Sequence, residues 1–293
     1  MKVGIYGQFY HENSGKYIQQ LLDLLDDRSV EVVIEKQFLG MVQKHESIKK
    51  DYSYFSTFKE LDTSYNIFFS IGGDGTILRS ITYVRDLGIP IVGINTGRLG
   101  FLATIRKEEL ATSIKKIFDG DYTVSSRSLL EITASNGYDF DGFPYALNEV
   151  AVSRKNTTSM ITVHTKLNDE FLTSYWADGL IVSSPTGSTG YSLSCGGPIM
   201  MPQTSSFLLT PIAPHNLNMR PFVIPDHFKL SLTISGREEE HLVSLDSRTH
   251  TLPNETEIEI TRAPFNINMV LLNEKSFLKT LRKKMLWGED QRN

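Results

Sequence analysis

A glycine turn set between a strand and a helix constrains this chain more than any other feature. Ile67, Phe68, Phe69 and Ile71 form an apolar run, Gly72-Gly73-Asp74-Gly75-Thr76 follows at once, and Ile77, Leu78 and Ile81 then fall at helical spacing. A strand that turns through glycines into a helix presents backbone N–H groups and a helix N-terminus to an anion. Glycine adopts φ > 0 and leaves room for a phosphate to approach closely. A carboxylate aimed at such a place is costly unless it takes a proton or engages a metal, so phosphoryl transfer is the first chemistry to test. The turn lacks the Gly-Lys-Ser/Thr ending of the P-loop and the Gly-x-Gly-x-x-Gly spacing of dinucleotide folds. Gly-Gly and Asp-Gly pairs also build ordinary turns. As a general base toward an alcohol, Asp74 would act while the hydroxyl proton becomes acidic in the transition state, an effect typically worth about 10²–10⁴ in rate.

The same strand–helix alternation runs through the first 120 residues. Residues 3–7 read as a strand, Ile18, Leu21, Leu22 and Leu25 as one face of a helix, and residues 30–34 as the next strand. Residues 36–60 are mostly polar and read as a helix or an exposed loop. Strand signals return at 67–71 and 89–94, and residues 107–118 look helical up to Asp119-Gly120. Near-continuous apolar strands separated by helices argue for a largely parallel, Rossmann-like sheet covered on both faces. After Tyr122 the pattern changes to short β-branched or alternating stretches at 129–133, 146–152, 160–163, 171–175, 180–183, 228–234, 241–245 and 258–261. Asn136-Gly137, Asp141-Gly142 and Pro253-Asn254 punctuate them as turns. The second part is therefore expected to be β-rich, antiparallel or mixed. Residues 275–286 read as a basic amphipathic helix with Phe277, Leu278, Leu281 and Met285 on its apolar side. The expected organisation is an α/β domain over 1–121, a β-rich domain over 122–262 and a C-terminal segment over 263–293.

Composition narrows the function classes. A chain of 293 residues with net charge −4 is not built over its whole surface for nucleic acid. Cys195 is the single cysteine, which excludes an internal disulfide and a thiolate metal cluster. No run approaches the ~20 apolar residues that span a bilayer, and the opening Met1-Lys2-Val3-Gly4-Ile5 reads as a strand rather than a signal peptide. The cytoplasm is the expected location.

Four further constellations carry polar groups to places where a ligand can meet them. Asn95-Thr96-Gly97-Arg98-Leu99-Gly100-Phe101 follows a parallel strand and leaves the edge where such sheets bind ligands. Asn95 suits a hydroxyl or base edge, while Phe101 is equally a core residue. Asn148-Glu149 places two polar groups on opposite faces of a strand, one of which a solvent-facing position would also explain. The run from Ser183 to Pro198 includes Thr186, Gly187, Ser188, Thr189 and Tyr191, supplying hydroxyls and close backbone approach without charge, which suits a ribose or phosphate. It has no Gly-x-Ser-x-Gly elbow, so hydrolase chemistry is not expected. Asp178 precedes this run, and Asp246 ends the strand 241–245. His215 reads as a loop residue, and no His-x-x-x-His or facial-triad spacing appears, so metal ligands stay unassigned.

Together these pieces closely resemble the NAD kinase family, from about residue 65 to 250. Gly-Gly-Asp-Gly-Thr alone is shared with diacylglycerol and sphingosine kinases; the segments 95–101, Asn148-Glu149, Asp178-Gly179, 184–197 and Arg220-Pro221 discriminate. The resemblance implies an N-terminal α/β domain, a C-terminal all-β-like domain and a chain end returning to the first. It implies ATP-dependent phosphorylation of NAD at the adenosine-ribose 2′-hydroxyl with magnesium or manganese, in a homodimer or homotetramer without membrane or nucleic-acid partners. Asp74 would assist deprotonation, and Gly72, Gly73, Gly75 and Thr76 would hold phosphates. Asn148 and Glu149 would bind NAD. Thr186, Ser188, Thr189 and Tyr191 would line its pocket, and Asp178 and Asp246 would contact the dinucleotide. Two departures stand out: Gly190 where the family commonly has alanine, and Ser247 where a glycine often follows the acid. A lipid kinase of the wider superfamily would need an apolar channel that the polar 183–192 run does not suggest. A dinucleotide-binding regulator could dispense with Asp74.

Overall fold

A computed structural model describes residues 1–8, 15–45, 50–97, 99–156 and 159–286. It divides the chain into two units, Met1–Ser126 together with the chain from Ile267, and Arg127–Asn266. The sequence expectation placed the divisions after residues 121 and 262.

In the first unit, strands β1 (Lys2–Gly7), β2 (Glu31–Glu35), β3 (Ser53–Phe55), β4 (Ile67–Gly72) and β5 (Ile91–Asn95) form a parallel sheet in the order β5-β4-β1-β2-β3. Its central strands are buried almost end to end, as expected of a parallel sheet covered on both faces. Helix α1 (Gly15–Asp26) buries Ile18, Leu21, Leu22 and Leu25, the stripe its spacing foretells. Residues 36–60 resolve into helix α2 (Lys36–His45) and β3, with 46–49 outside the described residues. Phe38, Leu39 and Val42 anchor α2 in the core. Helix α3 (Asp74–Val84) joins β4 to β5; a short strand β6 (Ile105–Arg106) and helix α4 (Leu110–Phe118) follow. The chain runs from β1 toward β3 on one side and resumes at β4 on the other. The β1–β4 boundary is therefore the switch point, outside whose carboxyl ends such sheets bind ligands.

Strand β7 (Tyr122–Ala134) leads into the second unit, which holds β8 (Tyr145–Ala146), β9 (Glu149–Arg154), β10 (Ile161–Leu167), β11 (Glu170–Ala177), β12 (Gly179–Ser183), the helical turn α5 (Tyr191–Ser194), β13 (Ser206–Ile212), β14 (Phe222–Pro225), β15 (Leu230–Gly236), β16 (Glu240–Leu245) and β17 (Arg248–Pro253). Strand β18 (Glu257–Leu272) begins here and ends in the first unit, where helix α6 (Phe277–Met285) also lies. One antiparallel sheet has the order β14-β13-β12-β9-β16-β17, and β11-β10-β15-β18 continue another. Val150, Val182, Leu209 and Val243 from the first of these meet Val163, Leu232 and Ile258 from the second in one core. That is the packing of a sandwich whose strands alternate inward and outward residues. No described helix is long and apolar enough to cross a membrane.

Candidate functional site

In the first unit the parallel register sets Gly72 beside Asn95, so the glycine turn and the 95–101 loop leave adjacent strand ends. Gly73 caps α3, whose first residue is Asp74. Gly73 and Gly75 are exposed there, in the first turn, where backbone N–H groups have no intrahelical acceptor. The Asp74 carboxylate turns back onto the loop after β5. Its Oδ2 accepts the N–H of Phe101 at 2.7 Å, and its Oδ1 accepts those of Leu102 at 3.0 Å and Ala103 at 2.9 Å. This close approach requires glycine at position 100, since a Cβ there would lie 1.7 Å from Asp74 Oδ1. Three charge-assisted bonds fix the carboxylate, yet Oδ2 takes a single donor among the described residues and keeps a lone pair for one more. Asn95 is buried, and its Oδ1 takes the Gly97 N–H at 2.8 Å, an Asx turn that shapes the same loop. The Phe101 ring packs on Phe277 of α6 at 6.0 Å, with the Lys284 ammonium 4.6 Å from its centroid. Arg98 lies outside the described residues.

The second unit repeats the device. Asp246 occupies the β16–β17 turn at φ 55°. Its carboxylate accepts the N–H groups of Leu147, Asn148 and Glu149 at 3.0, 2.8 and 3.2 Å, and its own N–H donates to Glu149 O at 2.9 Å. Asp246 thus clamps the segment that carries Asn148 and Glu149. Burial pushes its carboxyl up, opposed by the three N–H bonds and by Arg248. Glu149 is buried, and burial followed by the Asp246 charge pushes its carboxyl up to about 8, against the lowering effect of the Tyr191 N–H. Glu149 Oε2 and Asn148 Oδ1 are buried without a hydrogen-bond partner.

The serine-rich run folds against this pair. Ser184 donates its hydroxyl to Leu147 O, and its N–H reaches Asn148 O at 2.9 Å. Ser188 is fully buried; its hydroxyl donates to Pro185 O at 2.7 Å and accepts the Met200 N–H at 2.9 Å. Thr189 donates to Thr186 O, and Thr186 and Gly187 are buried in the same turn. Tyr191 is 45% exposed. Gly190 borders the same pair: a Cβ there would lie 3.0 Å from the unpartnered Glu149 Oε2 and 3.3 Å from Asn148 Nδ2. Asp178 pairs with Arg154 at 3.0 Å.

The polar atoms of Asp246 and Ser188, expected at the dinucleotide, thus engage the protein's own backbone. Sequence reasoning missed Ser184 and Gly100 as supports and the backbone donors at 101–103. A backbone N–H carries no residue signature, and residues 27 to 29 positions apart meet only through the fold.

Residues 3–122 match the ATP-NAD kinase N-terminal domain and residues 147–272 the ATP-NAD kinase C-terminal domain. The NAD kinase of Christiangramia forsetii is 61% identical over 294 residues, covering the whole of both chains. That of Porphyromonas gingivalis is 42% identical over 287 residues and 98% of each chain. Among solved structures, an Archaeoglobus fulgidus NAD kinase in complex with ATP has a TM-score of 0.74 at 25% identity, covering 98% of this chain and 99% of that one. Yeast NADH kinase complexed with NADH shares the fold with a TM-score of 0.88 at 21% identity, covering 99% of this chain and 88% of that one.

Proposed function

This chain belongs to the ATP-NAD kinase family, and we propose that it transfers the terminal phosphoryl group of ATP to the adenosine-ribose 2′-hydroxyl of NAD, giving NADP and ADP. Within the molecule itself, the observation that carries this reading is the pair of buried, unpartnered polar atoms on adjacent residues, Asn148 Oδ1 and Glu149 Oε2. Buried polar atoms without a partner are expensive, and ligand hydroxyls such as those of a ribose both donate and accept. Asp246 positions both residues through the backbone.

Asp74 is the general base of this reading. The 2′-oxygen forms a bond to the γ-phosphorus, its proton passes to the remaining lone pair of Asp74 Oδ2, and the bond to the β-phosphate oxygen breaks as ADP leaves. The N–H groups at the start of α3 stabilise phosphate oxygens. Catalysis here is mainly positioning and charge neutralisation. No three His, Cys, Asp or Glu side chains gather into a metal cage among the described residues. A magnesium or manganese ion would instead be carried in on the donor phosphates, because the one open lone pair of Asp74 is the proton acceptor in this reading. When bound it neutralises charge on the phosphates. The reading includes a homodimer or homotetramer that works in the cytoplasm.

The test is incubation of the protein with NAD, ATP and magnesium, with NADP read by cycling through an NADP-specific dehydrogenase. NADP formation is expected. Folded protein that binds NAD yet forms no NADP with ATP or with polyphosphate would overturn the reading in favour of a dinucleotide-binding module.

A further inference from the structure

A groove of about 270 Å³ in the first unit lies between α6 and the junction of β6 with α4, and no residue of the glycine turn lines it. Arg106, Lys275, Lys279 and Lys283 line it together with Glu109 and Glu274. Both acids are engaged: Glu109 by Lys275 at 2.6 Å, and Glu274 by Lys116. Lys279 donates to the Glu274 carbonyl oxygen at 2.8 Å. Among the described residues, the side chains of Arg106 and Lys283 have neither a hydrogen bond nor an ion pair. The groove thus holds four cations against two acids, and two of the cations have no partner among the described residues.

Geometry selects the ligand. Ser276, Lys279, Thr280 and Lys283 share one face of the C-terminal helix at i, i+3, i+4 and i+7, so hydroxyl donors alternate with ammonium groups along one wall. Arg106 on the opposite wall brings a planar fork of donors that matches phosphate oxygens, while Lys283 contributes a point charge. The volume falls just below the roughly 300–1,000 Å³ of sites for drug-sized ligands, which suits a compact anion. We propose that this groove binds a small phosphate-bearing anion of the diphosphate class between Arg106 and Lys283. Such an anion neutralises the excess charge and bridges α6 to the β6–α4 junction. Leu99 also lines the groove, two residues before Phe101, whose N–H holds Asp74 and whose ring packs on α6. A ligand here therefore touches the loop that mounts Asp74. The proposal goes beyond the kinase reading and does not depend on it.

The experiment is calorimetric titration of sodium pyrophosphate, at fixed ionic strength and without divalent metal, into wild-type protein and the R106Q/K283Q double variant. NAD binding and NADP formation are measured on the same preparations. Saturable binding is expected in wild type. Removing one charged hydrogen-bonding partner typically weakens binding about tenfold or more, so the double variant should fall at least that far while its NAD binding and NADP formation stay unchanged. K279Q/K283Q, with both changes on an exposed helix face, gives the same comparison if the first variant fails to fold. Equal pyrophosphate affinity in wild type and variant would place the anion elsewhere, at the glycine turn for example, and overturn the proposal. So would the absence of saturable binding in wild type.

Discussion

Gly100→Ala changes one hydrogen into a methyl group on a residue with no side chain of its own to offer a ligand, yet it should disable the enzyme through Asp74. The added Cβ would lie 1.7 Å from Asp74 Oδ1, whereas real Cβ atoms stay at least 3.0 Å from such neighbours, so the carboxylate or the loop must move by about 1.3 Å. The loop is tied to that carboxylate by the Phe101, Leu102 and Ala103 N–H groups, and moving either partner strains those bonds. A misplacement of about 1 Å at a reacting group costs on the order of 10² in rate. Losing one net charge-assisted bond costs about 1.5–3 kcal/mol. At roughly 2–4 °C per kcal/mol for domains of 150–250 residues, the first unit should melt several degrees lower. Gly97→Ala, in the same loop, is the control because a Cβ there meets nothing within 4 Å. The assay is steady-state NADP formation with thermal melting of each variant. The expected result is a kcat loss of about 10² or more for Gly100→Ala and near-normal turnover for Gly97→Ala. A Gly100→Ala enzyme with wild-type kcat and melting temperature would refute the argument that Asp74 is held against this loop.

Other outcomes follow from the second unit. Glu149→Gln removes a carboxyl raised to about 8 by burial and by Asp246. The folded state keeps this proton while the unfolded state loses it near 4.5, so wild-type stability falls as pH rises from about 4.5 to 8. Denaturant unfolding should therefore show the stability of Glu149→Gln relative to wild type increasing across that window, and a constant difference would contradict the assignment. Burial lowers the pKa of both His241 and His250. Their unfolded forms take protons first as pH falls below 6.5, so melting temperature should decline from there on acidification, and His250→Gln should flatten part of that decline. Asp246→Asn sets an amide N–H₂ among three backbone donors, and NADP formation should drop at least about tenfold, chiefly through weaker NAD binding, given about 1.5–3 kcal/mol for a charged bond. Equal KM for NAD in this variant would count against the clamp.

What could be read from the sequence divides along a physical line. The stripe Ile18, Leu21, Leu22, Leu25 and the apolar run before Gly72 announce their elements because burial on one or both faces writes a period into residue type. Helix α2 was blurred because Lys36, Gln37 and Gly40 dilute the signal of Phe38, Leu39 and Val42, and tertiary packing decides it. At the candidate site, the sequence marks which residues are unusual and leaves open which way their polar atoms face. Asp74 and Asp246 look alike in sequence, as acids at the end of a strand. Both close onto three successive backbone N–H groups, a partner that leaves no trace in residue identity. Ser188 sits among ligand-like hydroxyls, yet its burial turns it into a loop support. Asn148 and Glu149 could equally have faced solvent; only the fold shows Asn148 Oδ1 and Glu149 Oε2 enclosed and unpartnered.

The central claim is that Asp74 takes the proton from the NAD 2′-hydroxyl during phosphoryl transfer. Its most direct test is kcat for NADP formation in wild type and Asp74→Asn from parallel preparations, with the NAD dissociation constant measured for both. The expected result is a fall in kcat of about 10²–10⁴ while NAD still binds. A folded Asp74→Asn enzyme that forms NADP at a near-normal rate would contradict it.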